Sequence, residues 1–157
     1  MSNPDSPPLR LIAPPPVMYI GALLLGAAIH ALSPIAIFPA AHAYAALGGF
    51  LLVLSGAFAR WAFLTMRRLG TTANPKKPSE ALVTGGPFRI SRNPIYVAMT
   101  GLYIGLAFLF NSAWLLILLV PLLMFMQWGV ILREERYLAG KFGNEYTAYS
   151  SRVRRWL

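Results

Sequence analysis

Cysteine is absent from this chain of 157 residues, and acidic side chains are scarce. The lack of cysteine excludes disulfides, a thiolate nucleophile and thiolate metal ligands, and it leaves the redox compartment undetermined. The two histidines, His30 and His42, are interpreted as interfacial or helix-packing residues, so no metal site is predicted. Any chemistry must therefore use other side chains.

Charge is also nearly missing from four long apolar blocks. Residues 113–132 contain no charged side chain, and at about 1.5 Å rise per residue such a run covers roughly the 30 Å hydrocarbon core of a bilayer. Similar blocks occupy residues 17–33, 43–64 and 94–110. The first block is interpreted as a retained span and not as a signal peptide, because no basic segment directly precedes it. These blocks predict an all-α integral membrane protein with four transmembrane helices.

The formal net charge is +9, and apart from Arg10, which precedes the first predicted span, the basic residues form two groups near span ends. The groups are Arg60, Arg67, Arg68, Lys76, Lys77, Arg89 and Arg92, and then Arg133, Arg136, Lys141, Arg152, Arg154 and Arg155. The positive-inside rule places both groups and both termini in the cytoplasm, and the expected location is a bacterial inner membrane. Basic residues beside spans favour lipid phosphates over nucleic acid as the partner.

The pattern predicts a single membrane domain without internal repeats. A proline-rich tail (residues 1–16) precedes two spans (17–64), a cytoplasmic loop (65–93), a helical hairpin (94–137) and an interfacial helix (138–157). In the last segment apolar residues recur every three or four positions with charges between them, which is typical of an amphipathic helix at a membrane surface. Gly143 is a candidate break in that helix.

A tight hairpin of the last two spans would return the end of the fourth span to the level where the third began. Arg92-Asn93-Pro94 and Arg133-Glu134-Glu135 would then lie on one cytoplasmic rim. Asn93 suits an N-cap and Pro94 the first helical position, and the positive end of the helix dipole favours an anion. By themselves, Asn-Pro indicates only a cap and Glu-Glu only a surface salt-bridge cluster.

The residues of this region, taken in order, resemble a known family. They are Leu82-Val83-Thr84, Gly86-Pro87-Phe88-Arg89, Ser91-Arg92-Asn93-Pro94 and Tyr96, followed by Glu134-Glu135, Leu138, Phe142-Gly143, Tyr146, Tyr149 and Val153. This series is similar to the isoprenylcysteine carboxyl methyltransferases and the related phospholipid methyltransferases. The glycines are not the dinucleotide fingerprint, so a nucleotide-like cofactor would be bound without a Rossmann sheet.

The resemblance implies that S-adenosylmethionine is bound at the cytoplasmic rim. The implied cofactor-binding residues are Leu82, Val83, Thr84, Gly86, Phe88, Arg92, Asn93, Pro94, Tyr96, Glu134 and Glu135. Arg133 and Glu134 are the catalytic candidates. Asn93 stands where the family usually has histidine, Phe88 where it often has tyrosine and Ala98 where it often has glycine. The change at Asn93 removes a titrating group, which leaves the general base unassigned.

The resulting hypothesis is methyl transfer to a carboxylate, amine, thiol or phenolic oxygen on a lipophilic small molecule or lipidated substrate. Two alternatives remain open: a membrane reductase that uses a nicotinamide cofactor, and a lipid-binding scaffold without turnover. The oligomeric state is not predicted.

Overall fold

A computed structural model describes residues 14–39, 41–70 and 81–157. Every regular element in these ranges is helical, which confirms the all-α prediction. The main helices are α1 (Pro15–Leu32), α2 (Ala41–Arg68), α3 (Pro94–Leu109), α4 (Ala113–Phe125), α5 (Leu132–Phe142) and α6 (Asn144–Ser150). A short 3₁₀ helix occupies Gly86–Arg89, and a π-helical turn, Met126–Ile131, joins α4 to α5. Predictions for residues 1–13, 40 and 71–80 lie outside the described residues.

Three segments are long and apolar enough to cross a membrane: Pro15–Leu32, Tyr44–Arg68 and Ala113–Phe142. The apolar helix α3 has 16 residues, which corresponds to about 24 Å at the α-helical rise and is shorter than a hydrocarbon core of roughly 30 Å. Among the described residues, length and composition therefore support three membrane spans. The predicted fourth span remains a prediction.

Close backbone packing holds α2 against α3. A Cβ atom on Gly48 would lie 2.7 Å from the carbonyl oxygen of Gly105, and one on Gly101 would collide with the Ser55 side chain. Small residues at these crossings let the two backbones approach closely. On its other side α3 contributes to a buried cluster with α1 and α4. Its buried members are Tyr19, Tyr103, Ala107, Leu115, Leu119, Leu122, Met126 and Val130.

The turn between α3 and α4, predicted at Asn111-Ser112, is closed by neutral hydrogen bonds. Asn111 adopts a positive φ of 47°, and its Oδ1 accepts from the backbone N–H groups of Ile37 (3.0 Å) and Phe38 (3.1 Å). Its Nδ2 donates to the Phe38 carbonyl at 2.9 Å. Trp114 Nε1 donates to the Ser33 carbonyl at 2.7 Å. This end of the bundle, residues 33–38 with 111–114, is called the hairpin end below.

The last part of the chain departs from the single interfacial helix expected over residues 138–157. Gly143, with φ of 52°, separates α5 from α6, as its candidate role as a break predicts. The helical conformation ends at Ser150, and residues 151–157 form turns and irregular backbone. The backbone N–H of Arg92 donates to the Arg154 carbonyl at 2.9 Å, so the segment 151–157 packs against the start of α3. Of the aromatic residues in the pattern that predicted a helix here, Tyr149 bonds to the Phe88 carbonyl in the loop and Trp156 to Gln127 in the π-helical turn.

Candidate active site

The beginning of α3 and the beginning of α5 lie side by side. The Tyr96 hydroxyl donates to Glu134 Oε1 at 2.8 Å, and Arg92 Nη1 lies 3.2 Å from Glu135 Oε1. Each contact joins the two arms of the hairpin. The predicted proximity of Arg92-Asn93-Pro94 to Glu134-Glu135 is therefore confirmed.

Glu135 lies between two guanidinium groups. Arg155 Nε and Nη2 each donate to a different Glu135 carboxylate oxygen at 2.8 Å, while Arg92 approaches Oε1 from the start of α3. The Arg92 and Glu135 side chains are each 14% exposed and that of Arg155 is 34% exposed, so the Arg92–Glu135 pair is largely shielded from water and Arg155 lies at its edge. Hydrogen bonding to Glu135 is the main cause that raises the pKa of Arg155. The term charged rim is used below for Arg92, Asn93, Tyr96, Glu134, Glu135 and Arg155.

Arg92 carries more hydrogen-bonding capacity than its neighbours satisfy. Its Nη1 donates to the Tyr146 hydroxyl at 3.3 Å, but its buried Nε has no hydrogen-bond partner in the described structure. A buried guanidinium N–H without an acceptor is costly. This N–H could therefore be satisfied by an acceptor on a bound anion.

Asn93 precedes α3 as predicted, but its side chain does not cap the helix. Its Nδ2 donates instead to the Arg155 carbonyl at 2.9 Å, and its backbone N–H donates to Ser91 Oγ at 3.0 Å. Ser91 Oγ in turn donates to the same Arg155 carbonyl at 3.2 Å. Pro94 occupies the first helical turn and is buried. The N-cap prediction is thus right in position and wrong in side-chain role, because the segment 151–157 offers the amide a carbonyl acceptor.

Polar contacts continue from the charged rim into the helices. Thr100 Oγ1 donates to the Tyr96 carbonyl at 2.8 Å and shares a 2.8 Å hydrogen bond with the Tyr19 hydroxyl. Tyr19 belongs to α1 and is 6% exposed. The turn of α3 that carries Tyr96 is thereby tied to α1, which fixes its position beside Glu134.

The loop before α3 packs its backbone closely against α2. Gly86 has φ of 59°, and a Cβ there would lie 2.9 Å from Thr65 Oγ1. The Tyr149 hydroxyl donates to the Phe88 carbonyl at 2.7 Å, and burial raises the pKa of Tyr149, which keeps this donor protonated. Val83 is 7% exposed. These contacts hold the loop backbone against α2 and α6.

A family model for phospholipid methyltransferases matches residues 43–145, which is more than half of the chain. The chain belongs to the phospholipid methyltransferase family. An uncharacterized protein of Haemophilus influenzae is 63% identical over 27 residues, which make up 17% of this chain and 43% of that protein. The chain thus matches less than half the length of this curated relative, and the likeness covers only a short segment of the chain.

The family to which the chain belongs is described as phospholipid methyltransferases, and methyl transfer requires a methyl donor. A methyl donor of the S-adenosylmethionine type carries a carboxylate, an ammonium group, ribose hydroxyls and a sulfonium cation beside an adenine ring. The charged rim contains groups of matching chemistry: guanidinium N–H donors, including the unpaired Arg92 Nε, and the Glu134 and Glu135 carboxylates. The side chains present therefore fit such a cofactor.

The structure brings part of the predicted site into direct contact. Arg92, Asn93, Tyr96, Glu134 and Glu135 are joined within the charged rim as described above, and Pro94 begins its helix. The remaining predicted residues flank it. Leu82, Val83, Thr84, Gly86 and Phe88 lie in the preceding loop, and Arg133 lies at the start of α5.

The sequence analysis assigned no site role to three residues of this region: Ser91, Arg155 and Trp156. Ser91 and Arg155 bond directly to Asn93, and Trp156 Nε1 donates to Gln127 Oε1 in the π-helical turn at 3.0 Å. Arg155 stands among three arginines near the end of the sequence, and nothing local distinguishes it from Arg152 or Arg154. Its role is visible only once the segment 151–157 is seen against α3.

Proposed function

We propose that this protein transfers a methyl group from S-adenosylmethionine to a lipophilic acceptor, and that the cofactor binds at the charged rim. The supporting observation is the arrangement of Glu135 between Arg92 and Arg155, beside the Tyr96–Glu134 pair, in a chain of the phospholipid methyltransferase family. This arrangement offers cationic and anionic groups within one partly shielded region. A zwitterionic cofactor requires both.

In this proposal each part of the site recognises a different part of the cofactor. The Arg92 N–H groups and the start of α3 bind the methionyl carboxylate, because guanidinium groups and helix N-termini both favour anions. Glu134 and Glu135 accept hydrogen bonds from the ammonium group or the ribose hydroxyls. Three apolar loop residues contact the adenine ring: Leu82, Val83 and Phe88. Thr84 and Gly86 contribute backbone beside them.

The bound cofactor supplies an electrophilic methyl group on a sulfonium. The protein's contribution is to hold the acceptor atom in line with the carbon–sulfur bond, and such positioning accounts for much of the rate of a two-substrate reaction. Arg133 is proposed to orient the acceptor, and Glu134 to bind near the reacting atoms. Tyr96 keeps the Glu134 carboxylate in place through its 2.8 Å hydrogen bond.

The acceptor is proposed to be an amphiphile that reaches the charged rim from the bilayer. Its acceptor group is a carboxylate, as the resemblance to isoprenylcysteine carboxyl methyltransferases suggests, or else an amine, a thiol or a phenolic oxygen. We further propose that α3 completes a fourth span, so that the charged rim and both termini face the cytoplasm of a bacterial cell. The density of arginines around the rim supports this orientation by the positive-inside rule.

Binding of S-adenosylhomocysteine to the full chain in detergent tests the proposal. Isothermal titration should show one site for the unmodified protein and weaker binding for Glu135→Gln and Asn93→Ala. Glu145→Gln, an exposed carboxylate in the first turn of α6, is the matched control and should bind normally. Absence of S-adenosylhomocysteine binding, together with binding of a reduced nicotinamide cofactor, would overturn the proposal.

A further inference from the structure

The segment 151–157 lies beyond residues 43–145, which match the family model, yet it contacts the centre of the candidate site. The Arg154 and Arg155 carbonyls accept hydrogen bonds from Arg92 N and from the Asn93 and Ser91 side chains. The Arg155 guanidinium makes a bidentate contact with Glu135. One residue, Arg155, thus touches both a proposed carboxylate ligand and the amide that precedes α3.

We propose that Arg155 is a positioning residue that orients Glu135 and Asn93 for cofactor binding. This inference rests on the proposed function and extends it to a residue outside the family-matched segment. Arg155 acts through Glu135 with its guanidinium and through Asn93 with its carbonyl. In this proposal Arg155 does not itself contact the cofactor.

The bidentate geometry supports an orienting role. A single ion pair leaves a carboxylate free to rotate, whereas two parallel N–H···O bonds fix its plane. Both Arg155–Glu135 bonds are 2.8 Å long, and Arg92 lies 3.2 Å from Oε1 of the same carboxylate. Glu135 is therefore held in one direction from two sides.

The guanidinium of Arg155 is not required simply to attach the segment to the helices. Main-chain carbonyls of the segment already accept three hydrogen bonds from residues 91–93. Trp156 adds a 3.0 Å hydrogen bond to Gln127. Because these contacts do not involve the Arg155 side chain, its loss should leave the segment docked and should release Glu135.

The pairing of the charges also supports the assignment. Two guanidinium groups surround the Glu135 carboxylate, whereas Glu134 accepts from the neutral Tyr96 hydroxyl. The Arg155 charge is therefore used on Glu135 itself, and its removal should loosen that carboxylate.

A double-mutant cycle on S-adenosylhomocysteine affinity tests this role in the full chain. Arg155→Gln and Glu135→Gln should each raise the dissociation constant by at least about tenfold, the scale of a hydrogen bond to a charged group. The double variant should bind no more weakly than the weaker single variant, because Arg155 acts through Glu135. Arg152→Gln is the control: its exposed side chain donates to the Ala148 carbonyl one turn earlier, and this variant should bind within about twofold of the unmodified protein.

Arg155→Lys adds a readout that a purely structural role would not move. Lysine keeps the charge but cannot make the bidentate contact, so we expect an affinity between those of the unmodified protein and Arg155→Gln, with an unchanged melting temperature. This variant also decides the matter if Arg155→Gln fails to yield monodisperse protein. Unchanged affinity in Arg155→Lys would contradict the orienting role.

Two further outcomes would overturn the inference. Additive losses in the double variant would mean that Arg155 contacts the ligand independently of Glu135. Unchanged affinity in Arg155→Gln, with normal binding by the unmodified protein, would reject the positioning role while leaving the proposed function intact. If the unmodified protein itself does not bind S-adenosylhomocysteine, the proposed function fails and the positioning role fails with it.

Discussion

The two ends of the α3–α4 hairpin are fastened to the rest of the molecule by different chemistry. At the hairpin end, Asn111 and Trp114 make neutral hydrogen bonds to backbone groups of the α1–α2 connection. At the charged rim, the corresponding fastening uses Arg92, Glu135 and Arg155, and it leaves the buried Arg92 Nε unpaired. One end is closed with neutral groups, and the other retains charge.

This difference separates a structural closure from a binding site. Burying charges costs free energy even when they are paired, so a neutral closure is the less costly way to hold two helices. A chain that uses neutral groups at one end and two arginines with two glutamates at the other has a reason to keep charge there. The reason proposed here is an ionic cofactor. Variants at the two ends should therefore differ in what they impair.

Loss of the Glu135 charge is expected to have the largest effect, because it alters the charged rim and leaves the hairpin end unchanged. Glu135→Gln leaves two guanidinium groups facing a neutral amide, so S-adenosylhomocysteine affinity should fall at least about tenfold and stability by about 1–3 kcal/mol. Titration calorimetry and thermal unfolding in detergent measure both quantities. An unaffected affinity would mean that the charged rim does not bind the cofactor.

A side chain at Gly86 should disturb the loop that borders the charged rim. Gly86→Ala places a Cβ at positive φ and 2.9 Å from Thr65 Oγ1, with an expected cost of about 1–2 kcal/mol and weaker cofactor binding. Gly85→Ala is the matched control, because Gly85 has a φ of −94° and no neighbouring atom within 4 Å of its Cβ position. Equal melting temperatures for the two variants would show that the close approach at Gly86 is unimportant.

Removal of the Asn111 side chain should weaken the hairpin end alone. Asn111→Gly keeps the positive φ accessible and removes three hydrogen bonds to residues 37 and 38, so stability should fall by about 1–2 kcal/mol. S-adenosylhomocysteine affinity of the folded fraction should stay within about twofold of normal. A large loss of affinity would contradict the separation between the two ends.

The smallest effect is expected from the hydroxyl that ties α6 to the loop. Tyr149→Phe removes the 2.7 Å hydrogen bond to the Phe88 carbonyl and should cost about 1 kcal/mol. Because burial raises the pKa of Tyr149, its stabilisation is fully present below the unfolded value of about 10 and is lost as the pH rises beyond it. The difference in melting temperature between the variant and the unmodified protein should thus be constant between about pH 6 and 8, because this range ends about two pH units below the unfolded pKa. A difference that shrinks within this range would reject the assignment of Tyr149 as donor.

Much of the helical architecture and the centre of the candidate site could be predicted from the sequence. Proline at position 94 and the short Asn111-Ser112 turn fix where α3 begins and where the hairpin reverses, and those two facts bring Glu134 and Glu135 back to Arg92. Gly143 likewise marks the break between α5 and α6 through its backbone freedom. These features depend on local conformation, which single residue types strongly restrict.

The contacts of residues 151–157 could not be predicted in the same way. Tyr149 and Trp156 keep a helical spacing although the helix ends at Ser150. Tyr149 bonds to the Phe88 carbonyl in the loop, and Trp156 bonds to Gln127 in the π-helical turn. The side-chain role of Asn93 depends on the Arg155 carbonyl, 62 positions away in the sequence. Long-range partners of this kind leave no periodic signal.

Transfer of labelled methyl groups tests the central claim most directly. Membranes containing the full chain are incubated with S-adenosylmethionine labelled in its methyl group, extracted with organic solvent and compared with membranes containing Glu135→Gln or the control Glu145→Gln. The proposed function predicts label in a lipophilic product for the unmodified protein and the control, and a strong reduction for Glu135→Gln. Equal labelling with Glu135→Gln would contradict it. So would the absence of a labelled product from membranes that contain the folded unmodified protein together with its native lipids.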